Sequence, residues 1–131
     1  MHITLESDYA VRIVDCLVQA GARLDARTIA ERTDVTLRFS LKILRKLVSA
    51  GIVKSFKGTQ GGYELARALN EMSLGDVIEA VEGEYAISRC TKEGFTCNRE
   101  HSAPCKFQKI YREISREVQD KLKSVTFDQL V

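Results

Sequence analysis

Residues 90–105, "CTKEGFTCNREHSAPC", hold three of the chain's four cysteines, one of its two histidines and its only proline. Few apolar side chains accompany these thiols, so packing does not account for them. Three kinds of chemistry use such a cluster: a disulfide, a metal centre, or a nucleophilic thiol beside a base. The N-terminus "MHITLESDYA" lacks a basic segment followed by an apolar one, so no signal peptide is expected. The expected compartment is therefore the cytoplasm, where thiols are kept reduced. A permanent disulfide is disfavoured there, while a transient redox disulfide stays open.

Thiolates are soft ligands that select zinc, copper(I) or iron–sulfur centres. Six residues separate Cys90 from Cys97, and seven separate Cys97 from Cys105. Zinc sites favour pairs about two to four residues apart. A closed zinc site would also need a fourth donor, for which His101 is available. Iron–sulfur clusters accept varied spacing and a non-cysteine ligand. Spacing alone leaves zinc and a cluster both open. A thiol enzyme would use Cys97 or Cys105 with His101 as base. No oxyanion-hole glycine loop, acid partner or substrate pocket is suggested nearby, which makes this the remotest reading. Cys105 opens a long helix, where the dipole and free amides favour a thiolate. Cys16 falls on the apolar stripe of another helix and is read as core.

The elements around the loop follow from periodicity. Residues 7–20 place Tyr9, Ala10, Ile13, Cys16, Leu17 and Ala20 at helical spacing, and Gly21 is a suitable stop. A short helix with Ile29 and Ala30 breaks at "TDV", and a second begins with Thr36 as N-cap. The second helix sets Leu37, Leu41, Leu44 and Val48 on one face, with Ile43 and Leu47 beside them. Gly51 ends it. Two short helices joined by a tight turn form a helix-turn-helix. "IVKSFKGTQGGYELA" then reads as strand, glycine-rich tip and strand over Ile52 to Phe56 and Tyr63 to Ala66. A hairpin directly after a recognition helix is a wing. Ser73 and Asp76 form a capping box for a helix that turns Leu74, Val77, Ile78 and Val81 inward.

Finally, "PCKFQKIYREISREVQDKLKSV" is a long amphipathic helix with Pro104 in its first turn. Its stripe runs through Phe107, Ile110, Tyr111, Ile114, Val118, Leu122 and Val125. A helix of roughly 30 Å outruns what one small core can cover. The economical solution is the same helix of a second copy, which makes the protein a homodimer.

Charge agrees with this layout. Residues 36–67 carry seven Lys or Arg against one acid, Glu64, whereas the rest of the 131-residue chain carries thirteen against seventeen. A basic block on an otherwise acidic protein points to a polyanion, double-stranded DNA first. A solvated surface is the bland alternative. No apolar run approaches the roughly 18 residues of a membrane span. The fold class is mainly α: a winged helix-turn-helix with a small β-hairpin wing and a long C-terminal dimerisation helix. One structural domain is expected, with residues 1–84 reading DNA, 85–105 forming the cysteine loop and 104–131 the dimerisation helix and tail.

The segments "SDYAVRIV", "TIAERTDVTLRFSLKILRKLVSAGIVKSFKGTQGGYELAR" and "MSLGDVIEAVEG", followed by three cysteines, resemble the Rrf2 family of bacterial regulators. That family includes the iron–sulfur type called IscR and the nitric-oxide-sensing type called NsrR. The resemblance implies a homodimeric repressor that senses redox state, nitric oxide or iron supply through a 2Fe–2S or 4Fe–4S cluster. It also implies Cys90, Cys97 and Cys105 as ligands. In the nitric-oxide-sensing type an acidic residue matching Asp8 reaches the cluster from the partner subunit. For Asp8 the plain alternative is a helix-dipole charge. The chain departs from the family's patterns: its cysteines are more widely and less evenly spaced than those of the nitric-oxide-sensing type, and two recognition-helix positions are occupied differently. Gln108 stands where the IscR type completes its site with histidine, and Leu41 stands where that type carries an acid.

The N-terminal part of a recognition helix meets base edges, which nominates Thr36, Arg38, Phe39, Ser40 and Lys42. The wing nominates Lys57, Gly58, Thr59 and Gln60 for the phosphate backbone. A zinc- or disulfide-switched DNA-binding regulator is the second reading.

Overall fold

The computed structural model describes residues 2–99 and 104–131. Helix α1 spans Leu5–Ala20, α2 Ala26–Thr33 and α3 Leu37–Ser49. Strands β1 (Val53–Phe56) and β2 (Gly62–Leu65) pair antiparallel, with Val53 opposite Leu65 and Phe56 opposite Gly62. Helices α4 (Leu74–Glu82) and α5 (Lys106–Ser124) follow. The molecule is mainly helical, and the order of its elements is that of a winged helix-turn-helix.

The first four helices start where their side chains dictate. Thr4, Asp25, Thr36 and Ser73 each accept a bond from the backbone amide three residues on, at 2.8–3.2 Å. The Asp76 carboxylate returns the bond to the Ser73 amide at 3.0 Å, completing the capping box. Each such cap is worth about 1 kcal/mol. The cap at Thr4 starts α1 two residues earlier than periodicity suggested. Asp34, in the left-handed conformation at φ 54°, ends α2 and sets the turn into α3.

The core lies where α1, α3 and α4 meet. Ala10, Ile13, Val14 and Leu17 of α1 face Ile43, Leu44 and Leu47 of α3 and Val77 and Val81 of α4. Cys16 is only partly buried, because Val14 and Leu17 take the inward positions. The core face of α3 is also rotated from its expected stripe. Leu37 and Leu41 point outward, and Ser40 points in. Leu74 of α4 is likewise only half-buried.

The C-terminus returns to the core. Phe127 is 2% exposed, and its amide donates to the Met72 carbonyl at 3.0 Å. The C-terminal end of α5 thus docks on α4. The approach is close: a Cβ on Gly75 would stand 2.6 Å from Lys123 Cγ and 3.0 Å from its backbone nitrogen.

Pro104 lies ahead of α5 rather than in its first turn, and Cys105 is the N-cap residue. The stripe on α5 divides. Val118, Leu122 and Val125 are partly covered, whereas Phe107, Ile110, Tyr111 and Ile114 are exposed. Where α5 meets residues 85–90, its hydrogen bonds come from polar side chains. Gln108 Nε2 donates to the Cys90 carbonyl at 2.6 Å, Ser115 Oγ accepts from the Ile87 amide at 3.0 Å, and Gln119 donates to the Tyr85 carbonyl. Among the described residues, no helix is long and apolar enough to cross a membrane.

Candidate DNA-reading face and thiol pocket

Helix α3 presents Thr36, Leu37, Arg38, Leu41, Lys42 and Arg45 to solvent. Phe39 is half-buried and meets the Tyr9 ring edge-on, with centroids 5.4 Å apart. This contact fixes the start of α3 against α1. Ser40, nominated for a base contact, is 0% exposed and sits in the helix packing rather than on the outward face. Two of the seven cations in the basic block have structural duties. Lys46 pairs with Glu6 at 2.7 Å, and Arg67 donates to the Ala50 and Gly51 carbonyls that end α3. The other five, Arg38, Lys42, Arg45, Lys54 and Lys57, form no ion pair among the described residues.

The wing tip, Lys57, Gly58, Thr59 and Gln60, is exposed. Arg23, which sequence reasoning missed, braces its base. Its guanidinium lies 3.4 Å over the Phe56 ring, donates to the Gln60 carbonyl at 2.9 Å and approaches Glu64 at 3.5 Å. Beside it, the Leu24 and Tyr63 backbones exchange bonds at 3.0 and 2.7 Å. Gly62, at φ 145°, permits this: a Cβ there would stand 2.6 Å from the Leu24 carbonyl oxygen. Nothing local in the sequence marks Arg23, because all its partners are distant along the chain.

The described part of the thiol loop packs beside the head of α5 through residues 89–91. Cys90, Cys97 and Cys105 line one cavity of about 350 Å³, together with Arg89, Arg99 and Phe107. The Cys90 Sγ lies 3.1 Å from Ser88 Oγ, and the Arg99 amide donates to Cys97 Sγ at 3.4 Å. The backbone amides of Gln108 and Phe107 hold the Cys105 thiol below its usual pKa, as expected at a helix start. Burial pushes the Cys16 thiol up, the opposite direction. Among the described residues, no three His, Cys, Asp or Glu side chains converge on one metal-sized point. Asp8 pairs with Arg12 at 2.8 Å and does not line the cavity of its own chain. His101 lies outside the described residues. Gln108 spends its side-chain donor on Cys90, so it joins the cavity as a brace.

A helix-turn-helix followed by a hairpin, with uncompensated cations on both, defines a winged-helix transcriptional regulator. The family model Rrf2, described as an iron-dependent transcriptional regulator, matches residues 3–131, and the chain belongs to the Rrf2 family. It is 29% identical to protein rrf2 of Nitratidesulfovibrio vulgaris, covering 100% of this chain and 87% of that one. It is 33% identical to the regulator IscR of Pectobacterium carotovorum, covering 100% and 79%. Two solved structures share the fold. IscR of T. potens gives a TM-score of 0.75 at 24% identity, over 99% of this chain and 85% of that one. CymR of B. subtilis, the global cysteine regulator of that organism, gives 0.76 at 21%, over 99% and 95%. The family and these relatives are regulators of transcription, not enzymes.

Proposed function

We propose that two copies of this chain form an operator-binding repressor whose thiol cavity holds an iron–sulfur cluster, 2Fe–2S or 4Fe–4S. Redox state, nitric oxide or iron supply is then the signal. The observation that carries the reading is the gathering of all three loop cysteines around one cavity at the head of α5. The donors have the chemistry of the group, though not yet its convergence: three soft thiols, an amide on one sulfur, and Arg89 and Arg99 in the lining to offset thiolate charge. When bound, such a cluster supplies iron that a small oxidant or nitric oxide can attack.

The chain's own residues supply the coupling. Gln108 ties the backbone of Cys90 to α5, and Cys105 stands at the N-cap position of the same helix. Any change that moves these thiols therefore bears on the placement of α5. Residues 1–84 read DNA, 85–105 sense, and 104–131 pair the two copies through the exposed stripe of α5. Asp8, half-buried, paired with Arg12 and outside its own chain's cavity, would exchange that pairing to complete the site of the partner. A hard oxygen ligand is displaced more readily than a thiolate. The cytoplasm is the setting in which such thiols stay reduced.

The test is anaerobic purification followed by an absorption spectrum and iron, sulfide and zinc analysis. A brown protein containing iron and sulfide is expected. A colourless protein with stoichiometric zinc overturns the cluster in favour of a zinc site. Asp8→Ala and Asp8→Cys should both alter the spectrum or its response to nitric oxide, with thermal stability nearly preserved. Two wild-type responses would reduce Asp8 to a helix-end charge. A second reading, a thiol/disulfide switch, is favoured by the exposure of Cys97. It predicts a metal-free protein whose DNA affinity changes on mild oxidation.

A further inference from the structure

Helix α3 departs from the usual partition of side chains. It buries Ser40, at 0% exposure, whose Oγ finds no hydrogen-bond partner among the described residues. It leaves Leu37 and Leu41 outward at 37% and 39% exposure. A helix selected for stability alone would exchange these choices. Local rules of this kind are broken where a surface has work to do.

The two leucines share an open depression of about 710 Å³ with Arg38, Lys42 and Arg45. A surface that alternates apolar side chains with unpaired cations matches a ligand that alternates methyl groups with anions. The DNA major groove is such a ligand: phosphates border it, and each thymine projects a C5-methyl into it.

We infer that Leu37 and Leu41 read thymine methyl groups, so that each operator half-site carries thymine at two defined positions. The inference rests on α3 being the recognition helix. Residues four apart lie about 6 Å apart along a helix. That is close to two base-pair steps of about 3.4 Å. The cations reach phosphate or guanine, and the leucines add a preference that neither charge nor hydrogen bonding supplies. Loss of one buried methyl corresponds to a roughly fourfold weaker Kd.

The experiment starts by selecting bound sequences from a random duplex pool with the full-length protein. The as-isolated and the chelator-treated forms are both used. Each thymine of the selected site is then replaced, one at a time, by deoxyuridine, which removes only the methyl. At two positions per half-site the wild type should bind uracil about fourfold more weakly. Leu37→Ala and Leu41→Ala should each abolish the difference at one of them, whereas Arg38→Ala should leave both differences intact. Selective binding with no thymine–uracil difference at any position overturns the inference and leaves the DNA-reading assignment standing. No selection from the pool by either form overturns both.

Discussion

Gln108 shows how one residue can change its duty without changing its place. Its register on α5 would let a histidine face the thiol cavity, yet its amide is spent on the Cys90 carbonyl. Cys105, three residues earlier, lies under the free amides of the same helix start, which favour its thiolate. Lowering a thiol's pKa extends its thiolate to lower pH. In the metal-stripped, reduced protein, Cys105 should therefore be alkylated at neutral pH faster than Cys16, whose thiol is pushed the other way. Mass spectrometry of quenched samples checks this, and the reverse order would remove the helix-start account. The cysteines were legible in the sequence because type and clustering are local facts. Arg23 and the brace role of Gln108 were not, because each is defined by partners far along the chain.

At the scale of elements, capping and turn residues carried most of the information. Thr36, Ser73, Asp76 and the "TDV" break lie where the helices begin and end. The orientation of α3 was not legible. Its leucines occur on too many sides for periodicity to choose the inward face, and the packing of α1 and α4 decided it. Ser40→Ala should test the outcome. Removing a buried, unpartnered hydroxyl should raise stability by about 1 kcal/mol. Operator affinity should stay unchanged, and a large loss would mean that Ser40 reaches DNA after all. On the outward face, Arg38→Ala should cost about 1–3 kcal/mol and relax preference at one base pair. Lys57→Ala at the wing should weaken all sequences alike and lower the salt slope by about one. If both variants bind as the wild type does, DNA lies elsewhere on the surface. Affinity titrations at several salt concentrations separate these outcomes.

For the whole molecule, the proposed dimer turns on α5. The chain is too small to cover the stripe from Phe107 to Ile114, although the periodicity of that stripe was plain in the sequence. The division of α5 into a docked end and a bare end was not, because it depends on Phe127 drawing the tail into the core. Ile114, at 39% exposure, tolerates a charge in a single copy but not in an apolar seam. Ile114→Glu should give monomers in sedimentation, with unchanged helicity and weakened binding to a two-fold operator. A wild type that sediments as a monomer would remove the seam. The bonds from Gln108, Ser115 and Gln119 to residues 85–90 have one more consequence, and it concerns temperature. Detaching a segment held mainly by amide and hydroxyl groups hydrates mainly polar surface, which lowers heat capacity, whereas core exposure raises it. Release of the thiol loop should therefore carry a small heat-capacity change and lack the dome-shaped temperature profile of global unfolding. The free energy of detaching the loop from α5 would then change nearly linearly with temperature, with no optimum between a cold cell and a warm one.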